Sequence, residues 1–325
     1  MLRARGIGAA ALAALMLLAG GCATYDAHIP ESLAPRVDLA ETPFHPQLEH
    51  HCGPAALTTV LEASGASPEY NAVAERVYVP DLEGSLQVEM MAGARSFDRI
   101  PFRVPGHLES VLAEVEAGHP VLILQNLRVR SLPAWHYAVV IGYDRDDEKI
   151  LMRSGTERTQ ETSVSTWMRQ WDWGGRWAIV VLEPGELPAR PDRTAVFRAL
   201  ADFDETASPQ SRLSAWSAAA RRWPDAALVH MGLGNVHYEL GLHEAAVDGF
   251  RQALNHEPEH WPARLNLAQV LLELHRPCEG RRVLRAGTMP FDHPLVEAHG
   301  NLSIRLEKAC GPETPMPFGD SEVPR

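Results

Sequence analysis

The chain has 325 residues, enough for two domains of ordinary size once targeting segments are set aside. Its 42 acidic against 30 basic residues give a formal net charge of -12. With no long basic run, this excludes nucleic acid or an anionic membrane surface as the main partner. From the N-terminus, Arg3 and Arg5 precede a short apolar run from Ile7 to Leu18, and Ala19-Gly20-Gly21 follow. That is the layout of a secretory signal peptide, and the apolar run is too short for an ordinary membrane span. Residues 1–21 are therefore expected to be a cleaved signal.

Cys22 directly after those small residues resembles a bacterial lipobox. The resemblance implies that Cys22 is lipidated, several acyl chains together giving firm anchoring at roughly 0.8 kcal/mol per buried methylene. Ala23, rather than Asp, follows the cysteine, which by the same resemblance implies an exported outer-membrane lipoprotein facing the periplasm. A plain signal peptide cut near Ala23 is the alternative. Residues 22–42 contain Pro30 and Pro35 without periodicity and read as a tether from the membrane.

Residues 43–187 read as one α+β domain. Helical patterns cover Pro54 to Ala63, Pro68 to Val77, Ser85 to Ala94 (with Ser85 as a candidate cap) and His107 to Ala117. The pattern then turns to strands: Pro120 to Gln125, Trp135 to Tyr143, Lys149 to Ser154 and Trp177 to Leu182. Asp144 to Glu148 forms a charged turn between the second and third. Trp167, Trp171, Trp173 and Trp177 cluster before the last strand and are expected to pack in the core, with a substrate-facing groove as the alternative.

Beyond Pro191 the chain becomes alanine- and leucine-rich. Leu233, Gly234, Ala246, Phe250, Ala253 and Pro258 take the spacing of a tetratricopeptide repeat, whose period is 34 residues. Stepping by one period takes Phe250 to Trp216 and to Leu284, and Gly234 to Ala268. Residues 193–310 are thus expected to be an all-α repeat domain that docks a protein partner, with an ordinary helical bundle as the alternative. Residues 311–325 carry four prolines and read as a disordered tail. In an oxidising compartment Cys278 and Cys310 can pair as a disulfide, or stay two separate thiols.

The chemistry falls on Cys52. Pro54 suits the first turn of a helix, so Cys52 lies at a helix N-terminus. Unpaired N–H groups and the macrodipole there favour a thiolate. His136, on a later strand, is the natural general base. The order of cysteine on a helix start, then histidine on a strand, is the papain-like one.

Cys52-Gly53-Pro54-Ala55-Ala56, the strand His136-Tyr137-Ala138-Val139-Val140-Ile141-Gly142-Tyr143-Asp144 and the upstream Gln47 together resemble the bacteriocin-processing, double-glycine-type branch of the papain-like cysteine peptidases. The lipoprotein signal and C-terminal repeats resemble an exported subgroup of that branch. The resemblance implies a papain-like cysteine peptidase fold over residues 43–187. It also implies that Gln47 donates to the oxyanion hole beside the Cys52 N–H, a kind of contact that contributes ~3–4 kcal/mol to a transition state.

The family usually carries Asp on the strand after the histidine strand. A hairpin centred on Asp146 sets His136 opposite Thr156 and puts that position near Ser154, so Ser154 is the candidate orienter and no carboxylate stands there. Glu157 reaches in only if the strand end curls. Asp144 is ~26 Å along the strand from His136. No metal is expected, since His50, His51 and Cys52 lack ligand spacing, and no phosphate loop calls for a cofactor. Three functions remain: a lipid-anchored cysteine peptidase acting on a peptide or protein substrate, favoured by intact Cys52, His136 and Gln47; a non-catalytic periplasmic peptide-binding scaffold, favoured by the absent carboxylate; or, within the enzyme class, a transpeptidase or amidase using the same residues.

Overall fold

The computed structural model describes residues 27–311. The expected signal peptide, the lipidation site Cys22 and the tail from residue 312 lie outside them. The described chain divides into two units, with Glu183–Leu187 going to the second and Pro188–Arg190 to the first.

The first unit is built on a seven-stranded sheet. Its strands are β1 (Arg36–Asp38), β2 (Ile100–Arg103), β3 (Val121–Asn126), β4 (Trp135–Asp144), β5 (Lys149–Ser154), β6 (Glu157–Ser163) and β7 (Ala178–Leu182). They run in the order β2-β7-β3-β4-β5-β6, with β1 on β4, and every pairing is antiparallel. The apolar runs of β3, β4 and β7 become the centre of the sheet because both of their faces are covered.

Helix α1 (Cys52–Ala63) is buried from Gly53 to Leu61. Its Leu57, Val60 and Leu61 pack on Leu122, Val139, Ile141 and Ile179 of the sheet. Thr58 and Thr59 turn their hydroxyls back onto the carbonyls of Pro54 and Ala55, at 2.8 and 2.9 Å, so polar residues enter the core without loss of hydrogen bonding. Gly65, at φ +79°, ends the helix as the sequence indicates. Helices α2 (Tyr70–Val77) and α3 (Gln87–Ser96) pack beside it, and α4 (Leu108–Glu116) lies against β3 and β4.

Several expectations are corrected here. Ser85 does not cap α3: the N-cap is Leu86, without a side-chain bond. The segment read as a tether is part of the domain from residue 29 onward. Ile29 and Leu33 are buried, β1 pairs with β4, and Gly142 permits this because a Cβ there would lie 2.4 Å from the Val37 carbonyl. Of the tryptophans, Trp167 and Trp171 of α5 (Val164–Trp173) stack at 4.9 Å in the core with Trp177 also buried, whereas Trp173 borders a cleft.

The second unit is all helical: α6 (Arg193–Asp204), α7 (Pro209–Arg222), α8 (Ala227–Glu239), α9 (His243–His256), α10 (Trp261–Glu273), α11 (Pro277–Arg285) and α12 (Val296–Cys310). Helices α6, α8 and α10 begin 34 residues apart, and so do α7, α9 and α11. Trp216, Phe250 and Leu284, one period apart, are all buried. Helices α8 and α9 approach closely: a Cβ on Gly249 would stand 2.9 Å from the Gly234 backbone. Cys278 and Cys310 form a disulfide that ties α11 to the end of α12.

Candidate active site

Cys52 is the first residue of α1, and it is the free cysteine among the described residues. The loop before it turns at His50, which adopts φ +62°. Such a left-handed turn is uncommon for a residue with a side chain, though histidine tolerates it better than most. His50 and His51 then diverge, the first toward Glu83 at 3.9 Å and the second against the tilted ring of Tyr78 at 4.6 Å. Among the described residues no group of three or more His, Cys, Asp or Glu side chains could hold a metal ion.

His136 is the second residue of β4 and is buried. The β4–β5 register pairs Val139 with Arg153. Ser154 therefore lies diagonally from His136, and its Oγ is 2.9 Å from His136 Nε2. With Nε2 engaged, Nδ1 is the nitrogen left for a thiol. Serine both donates and accepts, so this contact holds the ring in either tautomer without adding charge.

Gln47 is fixed through its backbone: its N–H donates to the Gly155 carbonyl at 3.0 Å. Its side-chain Oε1 is enclosed and has no hydrogen-bond partner. Orphaned buried polar atoms are costly and call for a role. A second element of support is Arg153, which sequence reasoning passed over. Its buried guanidinium donates to the carbonyls of Ala40 and Thr42, at 2.7 and 2.9 Å, and to Thr159 Oγ1 at 3.1 Å. It thereby ties the strand carrying Ser154 to the segment leading to Gln47. The signal was present in the sequence: an arginine inside the apolar strand Ile150-Leu151-Met152-Arg153 has to be paired if buried.

Gln47, Cys52 and His136 open on one cleft of about 1070 Å³. Its walls come from the 82–88 segment and from Leu124, Trp135, Tyr137 and Trp173. Gly53 lets the 82–88 segment reach the helix start, since a Cβ there would lie 2.3 Å from Ser85 Oγ. The Tyr137 hydroxyl donates to the Ser85 carbonyl at 3.2 Å and secures the same segment.

Burial pushes the Cys52 thiol up, against the pull of the backbone N–H groups of Tyr137, Gly53 and Cys52 itself. Burial pushes His136 down. Both shifts favour the neutral forms. Desolvation thus opposes the thiolate that the helix N-terminus favours.

Residues 39–173 match the Peptidase_C39 like family. The matched stretch spans Gln47, Cys52, His136 and Ser154 and ends in α5. A solved structure from Bacillus anthracis, described as a C39-like peptidase, is similar at 17% identity and a TM-score of 0.41, over 46% of this chain and 98% of that one. No curated protein matches. The C39-like match points to cysteine peptidase chemistry in the first unit. No helix among the described residues is long and apolar enough to cross a membrane.

Proposed function

We infer that the protein is an exported, lipid-anchored cysteine peptidase whose nucleophile is Cys52. The observation that carries this is the opening of Cys52, His136 and Gln47 on one cleft, with Ser154 holding Nε2 of the histidine. In this reading Nδ1 of His136 takes the thiol proton as the sulfur attacks a peptide carbonyl. The oxyanion is met by the Gln47 side-chain amide and the Cys52 N–H. The histidine returns the proton to the leaving amine, and water then hydrolyses the thioester.

The remaining parts follow the sequence. The signal pattern and Cys22 support lipidation and an outer-membrane position facing the periplasm. The 34-residue recurrence of helix starts supports tetratricopeptide-type repeats that dock a protein partner or substrate. A scaffold that binds peptides without cutting them is favoured by one observation: a neutral serine stands where the family carries a carboxylate.

The test is hydrolysis of a mixed quenched-fluorescent peptide pool by the full chain in detergent, compared with Cys52→Ala and His136→Ala. Turnover by the parent, lost in both variants, supports the peptidase. Equal signals from all three, or none, sink it. Acyl labelling of the parent, absent from Cys22→Ser, tests the anchor.

A further inference from the structure

Large apolar side chains that remain exposed on the first unit are confined, among the described residues, to three segments. Leu48 follows Gln47; Leu82, Leu86 and Val88 lie on the second segment; Leu127, Val129, Leu132 and Trp135 lead into His136. Every one of these segments borders the reacting residues. Leu82, Leu86, Val88 and Trp135 line the cleft itself, and Trp135 is 57% exposed although it begins a strand of the central sheet. Apart from Cys52 and His136, the ionisable residues lining the cleft are His50, Glu83 and Tyr137. Scattered exposed apolar residues are ordinary, whereas a group gathered at one cleft marks a binding surface.

Resting on the peptidase reading, we propose that this cleft selects an extended peptide segment with large apolar side chains around the scissile bond, not a pair of glycines. Glycines have no side chains to occupy a space of about 1070 Å³, and the exposed leucines, valine and tryptophan at its rim would stay wet. Apolar side chains fill the space and cover the rim in one step. Leu86 and Trp135 are the specificity-determining residues.

The opposite end of the unit is charged and stands apart from the apolar rim. Strand β4 separates Trp135 from Asp144 by ~30 Å. At the far end lie Asp144, Asp146, Asp147 and Glu148, and there the N-terminal segment is held: the Ile29 N–H donates to Glu148 at 3.1 Å and Arg36 pairs with Asp144 at 3.1 Å.

The experiment uses the full chain in detergent and two matched fluorogenic peptides, one with Leu and Phe flanking the scissile bond and one with Gly-Gly before it. The apolar peptide is expected to have a kcat/KM at least ~10-fold higher. Leu86→Ser and Trp135→Ser, each with an unchanged thermal midpoint, are expected to reduce that preference through KM. Equal rates, or a preference for Gly-Gly, overturn the proposal while the peptidase stands. If neither peptide is cut but Cys52→Ala binds the apolar one in anisotropy measurements, weakened by Trp135→Ser, the peptidase reading fails and the apolar groove stands. If Trp135 fluorescence responds to phosphatidylethanolamine–phosphatidylglycerol vesicles and not to the peptide, the occupant is a membrane and the proposal falls.

Discussion

His136 is held by Ser154: the Nε2–Oγ distance is 2.9 Å, and the pair is the diagonal contact that the β4–β5 register dictates. A hydroxyl fixes the ring but does not stabilise a positive charge on it. A carboxylate at the same place does both. Ser154→Asp is expected to raise the His136 pKa and to increase kcat/KM roughly tenfold, since about 1.4 kcal/mol of added transition-state stabilisation suffices. Ser154→Ala removes one neutral hydrogen bond of about 1 kcal/mol and should lower kcat/KM about fivefold. Steady-state kinetics with NMR titration of the imidazole checks both. An unchanged pKa in Ser154→Asp would show that the serine does not face the ring in solution.

The two burial-driven shifts set opposite limits on pH. A folded thiol that keeps its proton more tightly than an unfolded one loses stability as pH rises past the ordinary thiol value of about 8.5. A folded imidazole that binds its proton less tightly loses stability as pH falls below about 6.5. Thermal midpoints should therefore be highest between those values, with the alkaline loss smaller in Cys52→Ala. Iodoacetamide should modify Cys52 with a midpoint above that of a free thiol. A midpoint below pH 7 would mean that an ion pair exists at rest.

Gly53 is where the cleft meets the nucleophile helix. A methyl group there collides with Ser85, whose Cβ would be 2.6 Å away. Gly53→Ala should cost about 1–3 kcal/mol and move the 82–88 wall. Denaturant unfolding would report the first effect, and a raised KM for apolar peptides the second.

The disulfide between Cys278 and Cys310 closes 32 residues of the helical unit. Cys278→Ser should lower stability by about 3–4 kcal/mol by restoring freedom to the unfolded chain. Calorimetry, with and without reductant, tests this. A reductant effect persisting in Cys278→Ser would place its source elsewhere.

Much of the site was legible because it rests on local rules. Pro54 and Gly65 bracket a helix, the β4 run is continuous and apolar, and a hairpin centred near Asp146 puts Ser154 by His136. The 34-residue step likewise places Trp216, Phe250 and Leu284 in equivalent buried positions. What escaped notice depends on partners distant in sequence. Strand β6 (Glu-Arg-Thr-Gln-Glu-Thr-Ser) has no apolar alternation and is largely exposed; it is a strand because β5 supplies its hydrogen bonds. Strand β1 has three residues and exists only against β4, so its sequence reads as a loop. Ser85 looked like a cap because serine often is one; the Tyr137 hydroxyl and Gly53 decide its place instead. The ionisation of Cys52 is hard to read from sequence for a related reason. The dipole at a helix start can be seen in a sequence, but how much protein covers the sulfur cannot.

Arg153 carries a consequence for the order of assembly. Its contacts reach Ala40 and Thr42 across 113 and 111 positions of chain, and onward to Thr159. On a ribosome the cysteine emerges early and the histidine some eighty residues later, yet Gln47 has no firm seat until the hairpin through Arg153 and Gly155 has been made. A nascent chain ending before residue 150 thus holds both reacting groups without the frame that aligns them. In the peptidase reading, the frame that aligns the two reacting groups is therefore complete only when nearly the whole first unit has been synthesised.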